Sequence, residues 1–271
     1  MAGSGSDSVT GNAADNTLHG NGGSDTLRGE AGDDYLLGGS GTDVLVGGLG
    51  SDSIDAGDGN DSVWAGPGDE GNDTISGGAG NDVMAGSAGD DSIVGGEGND
   101  TAFGGLGADT FDLGSGEDVG WLGAGNDSVT AGDGNDTFGG GDGNDTLYGE
   151  LGSDTVYAAS GTDMLQGESG NDVLFGGAGK DTIYGGAGND QMYGGAGDDD
   201  YVFELNHGND SVGGFFGNGD DILDIRLLSV SSFSDLTITQ SGADTLIDTG
   251  HGTILLWNSN ATDITVEDFW M

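Results

Sequence analysis

An aspartate returns at every ninth residue through most of this chain of 271 residues. Stepping from Asp190 gives Asp199 on one side and Asp181, Asp172, Asp163, Asp154, Asp145, Asp136, Asp127, Asp118, Asp109, Asp100, Asp91, Asp82 and Asp73 on the other. A step of twelve across the loop AGPGDEGND then leads to Asp61, and the register continues through Asp52, Asp43, Asp34, Asp25, Asn16 and Asp7. That makes 22 slots, 21 of them aspartate. A unit of nine residues cannot bury an apolar face alone. Such a chain gains order only by stacking each unit on its copies.

Two further columns travel with the aspartate. Two residues before the slot stands glycine, with Ala14 the exception, which permits a positive φ and leaves the backbone bare. Two residues after it stands an apolar side chain, from Val9, Leu18 and Leu27 through Phe111 and Phe138 to Met192 and Tyr201, broken at Gly120 and weakened at Ala102. The unit reads as a six-residue glycine-rich turn followed by a three-residue strand whose middle residue points inward. Each turn reverses the chain, so two units, or 18 residues, return it above its starting strand. The fold expected is all-β: a parallel solenoid of about 11 turns, two nonapeptides per turn, with two sheets facing across one apolar layer.

Composition says what such a coil lacks. The chain has 49 acidic side chains against three basic ones, Arg28, Lys180 and Arg226, for a formal net charge of −46, and 63 glycines whose ordering is costly. Nucleic acid, alginate-like polyanions and acidic membrane surfaces are poor partners for such a charge, and no membrane insertion is expected. The absence of cysteine removes disulfides, zinc-thiolate sites and thiol nucleophiles. Stacking sets the slot carboxylates in two rows. One row holds Asp7, Asp25, Asp43, Asp61, Asp82, Asp100, Asp118, Asp136, Asp154, Asp172 and Asp190. The other holds Asn16, Asp34, Asp52, Asp73, Asp91, Asp109, Asp127, Asp145, Asp163, Asp181 and Asp199. Unpaired carboxylates repel at that spacing, and a cation between them reverses the sign. Carboxylate and backbone carbonyl oxygens, six or so to a cage, suit Ca²⁺ better than Mg²⁺ or zinc. About 20 such ions would supply roughly +40, near the −46 of the chain.

The segments GGAGNDQMY, GGAGKDTIY, GGAGNDVMA and GGEGNDTAF resemble the G-G-x-G-x-D-x-U-x nonapeptides of RTX (hemolysin-type) proteins. The match covers roughly residues 2–203. The resemblance implies a calcium-bound, right-handed parallel β-roll, export through a type I channel and folding where calcium is plentiful, with the slot aspartates as ligands. Asn16, Ala14 and LGSGEDVGW around Asp118 depart from the repeat, which puts the ions there in doubt.

After Asp199 the period fails, dividing the chain into repeats at 1–203 and a β-rich segment at 204–271. HGNDSV and GNGDDIL read as degenerate repeats, and LTITQSGADTLIDTGHGTILL alternates as hairpin strands do. This segment is expected to cap the open end of the coil. Its close, ITVEDFWM, is similar to the uncleaved export signals of secreted RTX proteins. The beginning of the chain has neither the basic start nor the apolar stretch of a cleaved signal peptide, and no apolar run reaches membrane-span length.

His19, His207 and His251 are too scattered for a metal triad, and neither HExxH nor GxSxG occurs, so no enzyme is expected. An outward row of Trp64, Phe103, Trp121, Tyr157, Phe175 and Tyr193 covers one sheet; sugar rings or a protein partner are the functional alternative to plain strand propensity. The function expected is calcium binding by a secreted structural and export module. The alternatives are the noncatalytic part of a secreted hydrolase or polysaccharide epimerase, and an adhesin using the aromatic row.

Overall fold

A computed structural model describes residues 3–216 and 219–271. The chain is a parallel β-solenoid of about 12 turns with almost no helix. It divides into two compact units, 1–140 and 141–271, and one rule builds both.

In the first unit, Ser8–Asn12 pairs in parallel with Thr26–Ala31, which pairs with Val44–Leu49, then Ser62–Trp64, then Val83–Ala88. The intervening strands Thr17–Gly22, Tyr35–Ser40, Ser53–Asp58 and Thr74–Ala79 form the opposing sheet. Leu27 lies opposite Leu45, an offset of 18 residues, and across the insertion Val63 lies opposite Met84, an offset of 21. The second unit repeats the pattern with Thr155–Ser160, Val173–Ala178, Gln191–Ala196 and Gly208–Gly213 in one sheet. Thr146–Leu151, Met164–Gln166, Thr182–Tyr184, Asp200–Val202 and Ile222–Asp224 make the other.

Most strands are six residues long rather than the three expected. The ladder persists through the glycine pair after the inward residue, with Gly96 opposite Gly114 and Glu97 opposite Ser115, so part of the expected turn is paired backbone. Three-residue strands remain at Ser62–Trp64, Met164–Gln166, Thr182–Tyr184, Asp200–Val202 and Ile222–Asp224.

The apolar column forms the core. Leu27, Leu36, Leu45, Val63, Ile75, Met84, Ile93, Val129 and Phe138 in the first unit are fully buried, as are Leu147, Val156, Leu165, Leu174, Ile183 and Met192 in the second. The gap left by Gly120 is filled from a second inward position: a Cβ on Gly120 would lie 3.1 Å from Leu113 Cδ1 and 3.5 Å from Phe111 Cδ2. Leu113 and Leu122 stand where most repeats have glycine or alanine, and both are buried. Volume is conserved across neighbouring positions rather than at each one.

The glycine before the slot is required by both conformation and space. Gly179 has φ +132°, and a Cβ there would lie 1.5 Å from the Gly161 carbonyl oxygen of the preceding turn.

The coil continues beyond residue 203. Gly208–Gly213 and Ile222–Asp224 join the two sheets in parallel, followed by Gly252–Leu256 and Phe269–Trp270. Gly252–Leu256 then pairs antiparallel with Asp244–Asp248, and that strand with Thr237–Ser241, the hairpin expected from the alternation. Tyr201 anchors this region: fully buried, it accepts the Gly194 N–H on Oη at 2.7 Å, and burial raises its phenol well above the usual range. Tyr201→Phe leaves that buried N–H without an acceptor and is expected to cost about 1–3 kcal/mol, read as a lowered urea midpoint of the folded chain.

Candidate metal centre

Each slot aspartate from Asp25 to Asp136, and from Asp163 to Asp199, is held in the same way. Its Oδ1 accepts the backbone N–H of the slot residue one turn earlier. In the first unit this links Asp7 to Asp25, Asp25 to Asp43, Asp43 to Asp61, Asp61 to Asp82, Asp82 to Asp100, Asp100 to Asp118 and Asp118 to Asp136, at 2.6–2.8 Å. The other row links Asn16, Asp34, Asp52, Asp73, Asp91, Asp109 and Asp127 in the same sense. In the second unit Asp154, Asp172 and Asp190 form one row, and Asp145, Asp163, Asp181 and Asp199 the other. The two rows expected from the period are therefore present in each unit.

The second oxygen differs. From Asp25 to Asp118, and from Asp163 to Asp199, Oδ2 of each slot aspartate is buried and has no hydrogen-bond partner. Buried anionic oxygens without donors are costly and point to a missing positive partner. Around them are neutral oxygens. A Cβ on Gly176 would lie 2.5 Å from Asp181 Oδ2 and 2.7 Å from the Gly194 carbonyl oxygen, and one on Gly20 would meet Asp25 Oδ2 at 2.4 Å and the Gly38 carbonyl at 2.5 Å. Carboxylate and carbonyl thus border one small space kept open by the missing side chain. This donor set, all oxygen, fits Ca²⁺. The equivalent residue is Ala56, Ala65, Leu113, Leu122, Ala131 or Ala158 before Asp61, Asp73, Asp118, Asp127, Asp136 and Asp163, so the space there is narrower.

The electrostatics agree. Burial pushes the carboxyls of Asp100, Asp109, Asp181 and Asp190 up to about 7; the N–H from the preceding turn opposes this, and the slot carboxylates above and below reinforce it. Burial likewise raises Asp52, Asp61, Asp118, Asp163 and Asp172 to about 6.

The ends of the rows are built differently. Asp7 is half-buried, and its Oδ2 accepts the Gly3 N–H at 2.7 Å; Asn16 accepts the Asn12 N–H at 2.7 Å. At the other end the rows extend to two aspartates outside the nonapeptide register: Asp210 accepts the Asp190 N–H and Asp221 accepts the Asp199 N–H, both at 3.0 Å. Asp210 Oδ2 meets His207 Nδ1 at 2.6 Å, with both side chains buried. His207 Nε2 lies 3.2 Å from Thr249 Oγ1, whose own proton goes to the Gly252 carbonyl, so Nε2 is placed to donate. This Asp–His–Thr row is a terminus for the carboxylate stack, closed to substrate by burial.

A second ladder lies outside the first. In many turns the Asn, Asp or Ser before the slot accepts the N–H of its counterpart one turn later, as in Asn60 to Asn81 to Asn99 to Glu117 and in Asn171 to Asn189 to Asn209, at 2.9–3.0 Å. The Asn, Asp and Ser of that column carried this signal unread.

The aromatic row is real. Trp64, Phe103 and Trp121 share a face in the first unit, in register through Ala85, and are exposed. In the second, Tyr157 stacks on Phe175 at 5.0 Å and Phe175 on Tyr193 at 4.8 Å, with Tyr193 meeting Trp257 edge-on at 5.5 Å. There the ring faces are spent on each other.

Two rows of buried, donor-poor carboxylates on a parallel coil define a calcium-binding repeat module. Seven stretches, residues 1–36, 37–69, 68–93, 86–120, 118–147, 130–165 and 166–201, match the RTX calcium-binding nonapeptide repeat (4 copies), and the chain belongs to that family. Among curated proteins no match is found. Three solved structures are similar. One is the AlgE6R2 subunit from the Azotobacter vinelandii mannuronan C5-epimerase, at 20% identity over 48% of this chain and 88% of that one, TM-score 0.25. Another is a hyperactive, Ca²⁺-dependent, β-helical antifreeze protein from an Antarctic bacterium, at 21% identity over 85% and 88%, TM-score 0.34. The third is the extracellular lipase LipA from Serratia marcescens, at 16% identity over 89% and 40%, TM-score 0.29. Among the described residues no helix is long and apolar enough to cross a membrane.

Proposed function

We propose that this chain is a secreted, noncatalytic calcium-binding module whose folding depends on the ion. The slot aspartates from Asp25 to Asp199 hold calcium between successive turns, each ion taking carboxylate oxygen from the row and carbonyl oxygen from the adjoining glycine turns. About 20 ions fill the two rows, the narrower gaps beside Ala56, Ala65, Leu113, Leu122, Ala131 and Ala158 last. Asp7 closes the row through Gly3 rather than through a metal. The segment 204–271 seals the coil, and its end serves export by a type I route.

The observation that carries this reading is the run of buried Oδ2 atoms without donors, repeated turn after turn beside open carbonyls. With a net charge of −46, the bare stack is opposed by its own field. A calcium titration followed by far-UV circular dichroism tests it: strand signal is expected to rise from a coil baseline with calcium and to respond far less to equal magnesium. A chain equally ordered in excess chelator at pH 8 overturns the dependence, and an equal magnesium response overturns the choice of ion.

A further inference from the structure

The three-residue insertion before Asp73 places a carboxylate where neighbouring turns use a backbone carbonyl. Gly32, Gly41 and Gly59, each two residues before a slot, donate N–H to the carbonyls of Leu49, Asp58 and Ala79 at 2.7–2.8 Å. Gly50 occupies the same position but donates to Asp69 Oδ1 at 3.1 Å, and Gly71 donates to the same oxygen at 3.1 Å. Two N–H groups therefore fix the Asp69 side chain. Asp69 is only 2% exposed, and its Oδ2 has no hydrogen-bond partner. Carboxylate oxygens of Asp52, Asp69 and Asp73 all lie within 4.8 Å of one another, and Oδ2 of Asp52 and of Asp73 are likewise buried without partners.

A neutral oxygen borders the same gap. A Cβ on Gly47 would lie 2.1 Å from Asp52 Oδ2 and 2.7 Å from the Ala65 carbonyl. Among the described residues, none of the three carboxylates forms an ion pair with a basic side chain. Three buried carboxyl groups held together, each with an Oδ2 that has no hydrogen-bond partner, offer a cation one carboxylate more than the other gaps do.

We propose that Asp69 turns the gap between Asp52 and Asp73 into a three-carboxylate divalent-cation site, whose ion is the last to leave the loaded coil. The inference rests on the calcium reading of the rows and adds a ligand from outside the repeat. Affinity in oxygen cages rises with the number of charged ligands and the rigidity of the site.

The test is release of calcium from the loaded full chain into excess fluorescent chelator by stopped flow. The wild type is expected to lose one ion per chain at least roughly tenfold more slowly than the rest. Asp69→Asn keeps the acceptor for Gly50 and Gly71 but removes the charge, and is expected to shift that ion into the fast phase, with the loaded circular dichroism spectrum unchanged. Glu117→Gln, at an exposed outer-rim position several turns away, should keep the slow ion. A wild type that releases every ion in one phase overturns the proposal without any variant, as does a slow ion that survives in Asp69→Asn; in either case calcium-induced folding still stands. A wild type that binds no calcium overturns both readings.

Discussion

Acidifying a calcium-free solution from pH 8 to pH 4 is expected to restore strand structure to a chain that chelator has unfolded. The reason is the direction in which the slot carboxyls are shifted. Burial raises Asp100, Asp109, Asp181 and Asp190 to about 7, and Asp52, Asp61, Asp118, Asp163 and Asp172 to about 6, from 3.8 in an open chain. A folded-state pKa above the unfolded value means that the metal-free coil binds more protons than the open chain. The stability gained by protonation is therefore complete below about pH 4 and is lost as pH rises through 6 and 7. Calcium and protons compete for the same oxygens, so the calcium concentration that half-folds the chain should increase as pH falls through this window. Circular dichroism on a grid of pH and calcium checks both statements. A metal-free chain that becomes less ordered between pH 7 and pH 4 would show that the rows are not buried together.

Replacing Gly179 by valine should break the second unit locally and cost on the order of 3–5 kcal/mol. Gly179 sits at φ +132°, its N–H donates to Ala196 at 2.8 Å, and its Cβ would fall 1.5 Å from the Gly161 carbonyl. No rotamer change relieves a contact between a Cβ and a neighbouring backbone; the turns have to part. Gly68→Ala provides the contrast. Gly68 also has a positive φ, +80°, but a Cβ there meets nothing within 4 Å, so only the backbone strain of about 1 kcal/mol is expected. Urea midpoints of the calcium-loaded proteins measure both. Equal midpoints for Gly179→Val and Gly68→Ala would remove the claim that close turn stacking demands the glycine column.

The period alone reveals the coil because a strict repeat leaves little choice. Once Asp, Gly and an apolar residue recur at fixed offsets, the return distance of 18 residues, the two rows and the inward column all follow, and they are present from Leu27 to Met192. What escapes the period is whatever departs from it. Asp210 and Asp221 lie 20 and 22 residues beyond their partners, so register counting passes over them although each has glycine two before and an apolar residue two after. Asp69 is invisible for the same reason: it belongs to an insertion, and only the folded loop brings it to Asp52 and Asp73. Gly120 looks like a hole because sequence columns treat each position alone, whereas packing shares volume among Phe111, Leu113 and Phe138. Strand length was misjudged because glycine pairs signal turns, yet stacked identical turns can still exchange ladder bonds.

The closing of the last slot by His207 bears on how the molecule avoids growing. A solenoid is a one-dimensional crystal, and its final layer resembles a template for another chain. Here Asp210 Oδ2 is already met by the His207 ring of its own chain at 2.6 Å, while Thr237–Ser241 and Asp244–Asp248 run antiparallel at the edge of one sheet. A newcomer would find one carboxylate row already met by a ring of the same chain and one of the two sheets ending in strands of the wrong polarity to extend. The coil carries its own full stop.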